Sequence, residues 1–485
     1  MLLARIGDRI IGVLTIALTA RYLTPADFGT FQMAFSVVAL VQVFSLLGFE
    51  WALIRHPDPQ PEHFHTAFTM QLTLSTAAAV IILALAWPFS LYYRTPELLA
   101  AIMVMSLAPI FHGLENLAVA HLRRELRFEA DFWRMFVPRV AASIACIGLA
   151  IWWQSCWALV VGLLVQRGGV TVIGYWLHPY RPRLTYAKWR ELIGFSAWLQ
   201  LNSIIEGFRT RCADLIIGRA LGSHSLAIFN MSGELANLPQ SEFVGAINTA
   251  MFPRYSRMQN EPDLVRTAYL DIVAVSILVG LPAAVGLAFT APAAVRLLLG
   301  TAWVEVVPVI QIMAFGALAS AIAANSSFVL MTMGRPDINA WLSAGGLGVL
   351  LTLLVVMTSR HGMIGAAVGF TATALILLPI HFIVLSRVLG VPVGGLLPRT
   401  YRAMLAACVM AAPLALLAPS GSPSGMLEAA LVLAAMAIAG SLSYGVALGL
   451  LWLAAGRPEG IEQLAFRIIG QILEKFRVRL IPRRG

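Results

Sequence analysis

The sequence predicts an all-α polytopic membrane protein with about 14 transmembrane helices. Three observations carry that prediction. Of its 485 residues 59% are hydrophobic and only 12% charged, where a soluble domain carries about 25% charged residues. Apolar runs of roughly 20 residues, the length a helix needs to cross the hydrocarbon core, recur from one end of the chain to the other. Most basic residues fall in short segments between alternate runs, the asymmetry that orients a polytopic protein.

Taken in order, spans are expected near 3–20, 28–53, 67–91, 98–120, 135–153 and 157–177, then near 192–217, 226–252, 268–291, 305–331, 340–358 and 363–386, and finally near 402–418 and 429–453. Polar residues interrupt 98–120, 192–217 and 226–252, and a twelve-span arrangement without the polar helices is the rival reading. With the N-terminus inside, 25 of the 34 basic residues fall on the cytoplasmic side. The opposite side holds single arginines at Arg21, Arg94, Arg219, Arg296 and Arg360. Both termini are therefore expected in the cytoplasm. The first apolar run could pass for a signal peptide, but Asp8 in its basic region and Leu18 at the cleavage position argue that it is kept as the first helix.

Several function classes are excluded by the same residues. The net charge of +10 is spread over loops instead of forming a patch, so no nucleic-acid partner is implied. Cys146, Cys156, Cys212 and Cys408 are isolated, with neither a CxxC pair nor a histidine cluster, and imply no metal and no disulfide. No catalytic motif appears, no loop is long enough to present a catalytic pair, and no cofactor is expected. His56, His63 and His65 read as solvated loop residues. The tail from Arg457, with Leu464, Ile468 and Ile472 among arginines, reads as a basic helix at the membrane surface.

An internal repeat organises the chain. Arg21-Tyr-Leu-Thr-Pro-Ala-Asp-Phe-Gly-Thr-Phe31 follows span one, and Arg219-Ala-Leu-Gly-Ser-His-Ser-Leu-Ala-Ile-Phe229 follows span seven, 198 residues later. The offset sets Asp8 on Glu206, Arg21 on Arg219 and Phe31 on Phe229. A six-plus-six duplication follows, with an N-lobe over 1–187, a C-lobe over 188–388, a further pair of helices over 389–456 and a basic tail over 457–485. Met1 maps onto Leu199, so the true start is expected upstream of the one given.

Charge at membrane depth marks the candidate site. The stretch Leu199–Tyr255 is apolar enough for a bilayer yet carries Glu206, Arg209, Arg211, Asp214, Glu234 and Glu242. At about 100° per residue, Asn202, Ser203, Glu206, Arg209, Thr210 and Asp214 share one side of a helix. Each buried charge costs about 2.5–3.5 kcal/mol or more unless it faces a bundle interior or an aqueous cavity. Arg209, Arg211, Arg139, Arg167 and Asn202 are the candidates for holding an anionic head group, since guanidinium matches phosphate bidentately. Asp8, Glu206, Asp214 and Glu234 are the candidates for ion coupling or gating. The structural alternative is internal ion pairing, for example Arg211 with Asp214; Glu50 and Glu242 lie near span ends, where snorkelling suffices.

The ordered motifs resemble a known family. Ala20-Arg-Tyr-Leu-Thr-Pro-Ala-Asp-Phe-Gly29, Gly48-Phe-Glu50, Leu122-Arg-Arg-Glu-Leu-Arg-Phe128, Asp214-Leu-Ile-Ile-Gly-Arg-Ala-Leu-Gly222, Leu238-Pro239 with Phe252-Pro253, Leu299-Gly-Thr-Ala-Trp303 and Gly334-Arg335 are similar to those of the polysaccharide transporter, or oligosaccharide flippase, branch of the MOP superfamily. The resemblance implies two pseudo-symmetric six-helix lobes around a cavity that opens alternately to either side. It implies as substrate a polyprenyl-pyrophosphate-linked oligosaccharide, an exopolysaccharide or O-antigen repeat unit, moved across the bacterial inner membrane. A coupling ion, H⁺ or Na⁺, and a polysaccharide polymerase or export machinery are the expected partners besides membrane lipid. Lipid II transport, multidrug or cation antiport, a membrane polymerase and an assembly scaffold remain the competing readings.

Overall fold

The computed structural model describes residues 2–45, 48–50, 53, 59–119, 128–178, 180–245, 258, 261–418 and 425–457; the basic tail, Leu122–Arg127 and Phe252-Pro253 lie outside them. The described residues are almost entirely helical and hold no strand. The helices are α1 (Leu2–Thr19), α2 (Pro25–Gln42), α3 (Pro61–Tyr93), α4 (Glu97–Met105), α5 (Leu107–Gly113), α6 (Phe128–Trp153), α7 (Trp157–Leu177), α8 (Trp189–Pro239), α9 (Pro262–Leu298), α10 (Val306–Thr332), α11 (Pro336–Leu389), α12 (Leu397–Leu417) and α13 (Met426–Ala454). Among the described residues, ten helices are long and apolar enough to cross a membrane.

Three differences from the expected spans have local causes. Spans 192–217 and 226–252 are joined without a loop in α8, which breaks only at Gly222 (φ 83°, ψ −179°). Spans 340–358 and 363–386 are joined in α11, broken at Gly362 (φ 60°, ψ −136°). Both dihedral pairs lie where only glycine is comfortable, so one residue turns the chain. Span 98–120 is two short helices, α4 and α5, followed by a 3₁₀ turn at Leu117–Val119.

The Thr24-Pro25-Ala26-Asp27 segment of the repeat is a helix start. The backbone N–H of Asp27 donates to Thr24 Oγ1 at 3.3 Å, and that of Thr24 donates to Asp27 Oδ2 at 3.0 Å. Pro25 occupies the first turn, where its missing N–H costs nothing.

The chain forms two compact units. The first comprises Met1–Asn230 with Leu298–Glu305 and Leu354–Ala366; the second comprises Met231–Leu297, Val306–Leu353 and Ala367–Gly485. Within the first, α1 lies along α6, α6 along α7, and α3 against α4 and α5. Where α5 ends, two carbonyls that already hold a backbone N–H accept a second donor from outside the helix, Phe111 O from Thr171 Oγ1 at 2.9 Å and His112 O from Gln71 Nε2 at 2.7 Å.

His63 and His65 depart from expectation. They sit in the first turns of α3, and His63 is only 3% exposed. Its Nδ1 accepts from the Gln60 backbone at 3.0 Å, so Nε2 carries the proton that faces Glu191 Oε2 at 2.9 Å. One face of α3 binds the segment before α8: Tyr180 Oη and the Arg183 N–H meet His65 Nδ1, while the N–H groups of Thr185 and Lys188 donate to Thr69 and Thr66. Hydrogen bonds from Lys188 and His63 lower Glu191 to about 2.

In the second unit, Tyr269, Ile272, Val273, Leu318, Ile322 and Leu385 form the core, and α12 lies along α13. The unit shows how prolines fit inside a membrane helix. Pro282 and Pro292 interrupt α9, and each leaves the carbonyl four residues earlier without its helical donor. Those carbonyls are Leu278 O, which accepts from Tyr444 Oη at 2.7 Å, and Ala288 O, which accepts from Gln311 Nε2 at 3.0 Å. An unsatisfied carbonyl in hydrocarbon is expensive, so these side chains tie α13 and α10 to α9.

Two predictions follow from this packing. Tyr444→Phe orphans the Leu278 carbonyl and lowers stability by about 1–3 kcal/mol. In Pro282→Ala, which restores the missing N–H, the same change is nearly neutral, and thermal unfolding of the four proteins in detergent measures the coupling. The second prediction concerns acid. A carboxylate whose native pKa is depressed stabilises the fold above its unfolded range and loses that contribution as pH falls. Stability is therefore expected to decline from pH 5 towards pH 2 with a Glu191 component that Glu191→Gln lacks.

Candidate functional site

Seven of the nine candidate residues lie in the first unit with described side chains, and six of them form three acid–arginine pairs. On α8, the exposed Glu206 and the half-buried Arg209 are one turn apart; Arg209 Nε and Nη2 meet the two carboxylate oxygens at 2.8 and 2.5 Å. One turn further, Arg211 Nη1 approaches Asp214 Oδ2 at 3.3 Å. Between helices, Asp8 of α1 lies 3.6 Å from Arg139 Nε of α6.

The pairs differ in burial. Asp214 is 1% exposed, and Asn230 Nδ2 donates to its other oxygen at 3.0 Å. Arg211 also stacks over the Phe35 ring, 4.8 Å from its centroid. Asp214 is thus held by two donors from α8, while the aromatic face of α2 supports its arginine. The carboxylate of Asp8 is 60% exposed and that of Glu206 is 53% exposed. Exposed charge on a spanning helix is tolerated where water or a counter-charge meets it. Each of these acids has a counter-charge.

Arg167, half-buried on α7, belongs elsewhere. It acts electrostatically on Glu115, which also contacts His112 Nδ1 at 3.2 Å and Arg134 Nη1 at 3.9 Å. Arg134 is buried and bonds Asp131 Oδ1 through Nε and Nη2. The sequence reading overlooked this cluster. Its signal was the polar ending of the span at 98–120, where Glu115 and Asn116 follow His112. Asn202 is helical, but its side chain lies outside the described residues. Glu234 falls in the second unit, on α8 beyond Gly222, and is exposed; the π-helical turn Gln240–Val244 follows it and carries Glu242.

Burial should separate the pairs experimentally. Removing Asp214 strands a partly buried guanidinium, and Asp214→Ala should cost about 3 kcal/mol. Asp8→Ala breaks a long, solvent-screened contact and should cost under about 1 kcal/mol. Thermal unfolding of the two variants tests the order, and equal losses would contradict it.

Comparison with known proteins supports a common origin. The chain is 24% identical over 388 residues to the lipopolysaccharide biosynthesis protein WzxC of Escherichia coli (strain K12), covering 78% of each chain. It is 24% identical over 319 residues to the succinoglycan biosynthesis transport protein ExoT of Rhizobium meliloti (strain 1021), covering 64% of each. Among solved structures, the inward closed conformation of lipid II flippase MurJ superposes with a TM-score of 0.75 at 13% identity, over 94% of this chain and all of that one. An inward-facing multidrug resistance MATE family transporter of the MOP superfamily gives 0.63 at 14% identity, over 79% and 94%. These likenesses establish an MOP-type fold. The profile of the family described as "Polysaccharide biosynthesis protein" matches residues 18–308, and the chain belongs to that family.

Proposed function

We propose that the protein is a secondary transporter that flips a polyprenyl-pyrophosphate-linked oligosaccharide, an exopolysaccharide or O-antigen repeat unit, across the bacterial inner membrane by alternating access. The carrying observation is the set of three acid–arginine pairs on α1, α6 and α8 in a member of the polysaccharide biosynthesis family. Relatives named for succinoglycan transport and lipopolysaccharide biosynthesis support the reading. It is a transporter and not an enzyme.

The physics suits such a cargo. A sugar chain and a pyrophosphate cannot cross hydrocarbon without partners, whereas the prenyl tail can stay in lipid. Arg139, Arg209 and Arg211, with Asn202, are proposed to hold the head group, and Arg167 to act near the Glu115 cluster. Each of the first three arginines already faces a carboxylate. An entering pyrophosphate therefore competes with Asp8, Glu206 or Asp214, and the returning carboxylate helps to expel it. This exchange keeps the site neutral when empty and prevents binding so tight that release fails. Binding of H⁺ or Na⁺ by Asp8, Glu206, Asp214 or Glu234 would shift the competition and reset the carrier. The lobes over 1–187 and 188–388, the helical pair over 389–456 and cytoplasmic termini complete the proposal, with polymerase or export machinery receiving the product.

Complementation tests it. Expression in cells lacking their own repeat-unit flippase should restore surface polysaccharide. Rescue only of cells lacking lipid II transport would overturn the substrate assignment. Arg139→Ala, Arg209→Ala and Arg211→Ala should each reduce export about tenfold or more, the loss expected for a charge-assisted contact of about 1.5–3 kcal/mol. Inserted protein should remain at normal levels in Arg139→Ala and Arg209→Ala, whose partners are exposed, so their loss of export separates binding from stability. In vesicles, Asp8→Asn and Glu206→Gln should remove gradient dependence.

A further inference from the structure

The two segments of the internal repeat meet inside the first unit. Gly29, in the second turn of α2, lies so close to Ser223 that a Cβ built on it would fall 1.8 Å from the Ser223 carbonyl oxygen. Only glycine fits, because the two backbones touch. Ser223 directly follows the Gly222 break, so a turn that needs glycine for its dihedrals is pressed against a helix that needs glycine for clearance.

A third segment bolts this seam. The indole N–H of Trp303 donates to Ala20 O at 2.9 Å, the carbonyl just past the end of α1 and outside the helix's own ladder. The ring is 0% exposed and stands edge-on to Phe28 with centroids 5.2 Å apart. Leu23 and Leu226 are buried beside these residues in the sequence, and at the rim His224 Nε2 faces Glu305 Oε2 at 3.2 Å, both exposed. The short stretch Leu298–Glu305, which carries Trp303, packs with the first unit although its flanking helices α9 and α10 belong to the second. Arg21, Arg219 and Arg296 mark all three segments as lying on the membrane face opposite the basic loops.

We propose that this seam is the outer gate of the carrier, closed in this conformation, and that Trp303 is its latch. The inference rests on the alternating-access reading and adds the residues that hold one side shut. The chemistry suits reversible closure. When the seam parts, the Ala20 carbonyl and the indole N–H enter an aqueous opening and can each take a water. The latch hydrogen bond is then exchanged and not lost, and its net worth is modest. Gly29 lets the backbones close without trapping a side chain. Phe28 and Trp303 exclude water while the gate is shut.

The test reads the gate without any substrate, so it stands whether or not the cargo is an oligosaccharide. Cys146, Cys156, Cys212 and Cys408 are replaced by alanine, Thr210→Cys is introduced on the exposed polar face of α8, and spheroplasts are treated with a membrane-impermeant maleimide. Trp303→Phe keeps an aromatic ring beside Phe28 and removes the fused pyrrole ring that carries the N–H. It should speed labelling of position 210 about two- to tenfold, as loss of one net hydrogen bond implies. Gly29→Ala should speed it at least as much. In a His224→Cys/Glu305→Cys pair, a short cleavable bis-methanethiosulfonate should slow labelling of position 210 below the unbridged rate, and reduction should restore it. His224→Cys alone should label from outside. Equal labelling rates across these proteins, or a His224→Cys that reacts only from the cytoplasmic side, would overturn the proposal.

Discussion

A backbone carbonyl or a charge left without a partner in hydrocarbon costs several kcal/mol, and the packing described above answers that constraint repeatedly. The helices satisfy nearly all backbone groups within themselves, so the informative places are the exceptions. Prolines at 282 and 292 open two carbonyls in α9, and Tyr444 and Gln311 close them. At the end of α5, Gln71 and Thr171 add a second donor to two carbonyls that already hold a backbone N–H. Apolar side chains can face lipid at no cost, and many large ones are exposed, such as Leu431 and Leu442 on α13. Polar groups therefore do the work of selecting which helices are neighbours.

The same constraint shapes the candidate site. A lone arginine on a membrane helix would be costly in the empty protein, however useful it were for binding phosphate. Pairing Arg139 with Asp8, Arg209 with Glu206 and Arg211 with Asp214 lowers that cost, and on the proposed reading a ligand must compete for each guanidinium. The competition is graded. Asp8 sits at 3.6 Å and is exposed, so it is the readiest to yield. Asp214 is buried under two donors and is the most reluctant. On the proposed reading, the outermost pairs exchange with substrate first, and the Asp214–Arg211 pair keeps α8 ordered while they do.

Much of this was legible in the sequence, and the limits have physical reasons. Long apolar runs and arginine placement gave a polytopic helical protein, because both depend only on local composition. The pairs on α8 were readable because residues three apart on a helix face one another. So was the start of α2, whose capping residues are contiguous. Illegible were the contacts that join distant stretches: Asp8 to Arg139, Asn230 to Asp214, Tyr444 to Leu278. A solvated reading of His63 failed because its partner, Glu191, lies 128 residues away. The spans at 192–217 and 226–252 were foreseen, but not that a single residue joins them, since Gly222 resembles any other glycine until its φ is seen.

These contacts also sort by what replaces them when helices move. The carbonyls of Leu278 and Ala288 are rescued by side chains within the second unit, where Tyr444 and Gln311 supply the donors that Pro282 and Pro292 lack. The Ala20 carbonyl is different. It closes onto Trp303 at a helix end, and on the proposed reading an opening there admits water. Opening α9 from α13 would strand a polar group, whereas opening the seam only changes its partner. A carrier must be rigid within its moving parts and compliant between its states. Here the difference between rigidity and compliance comes down to whether water can reach the carbonyl once the side chain lets go.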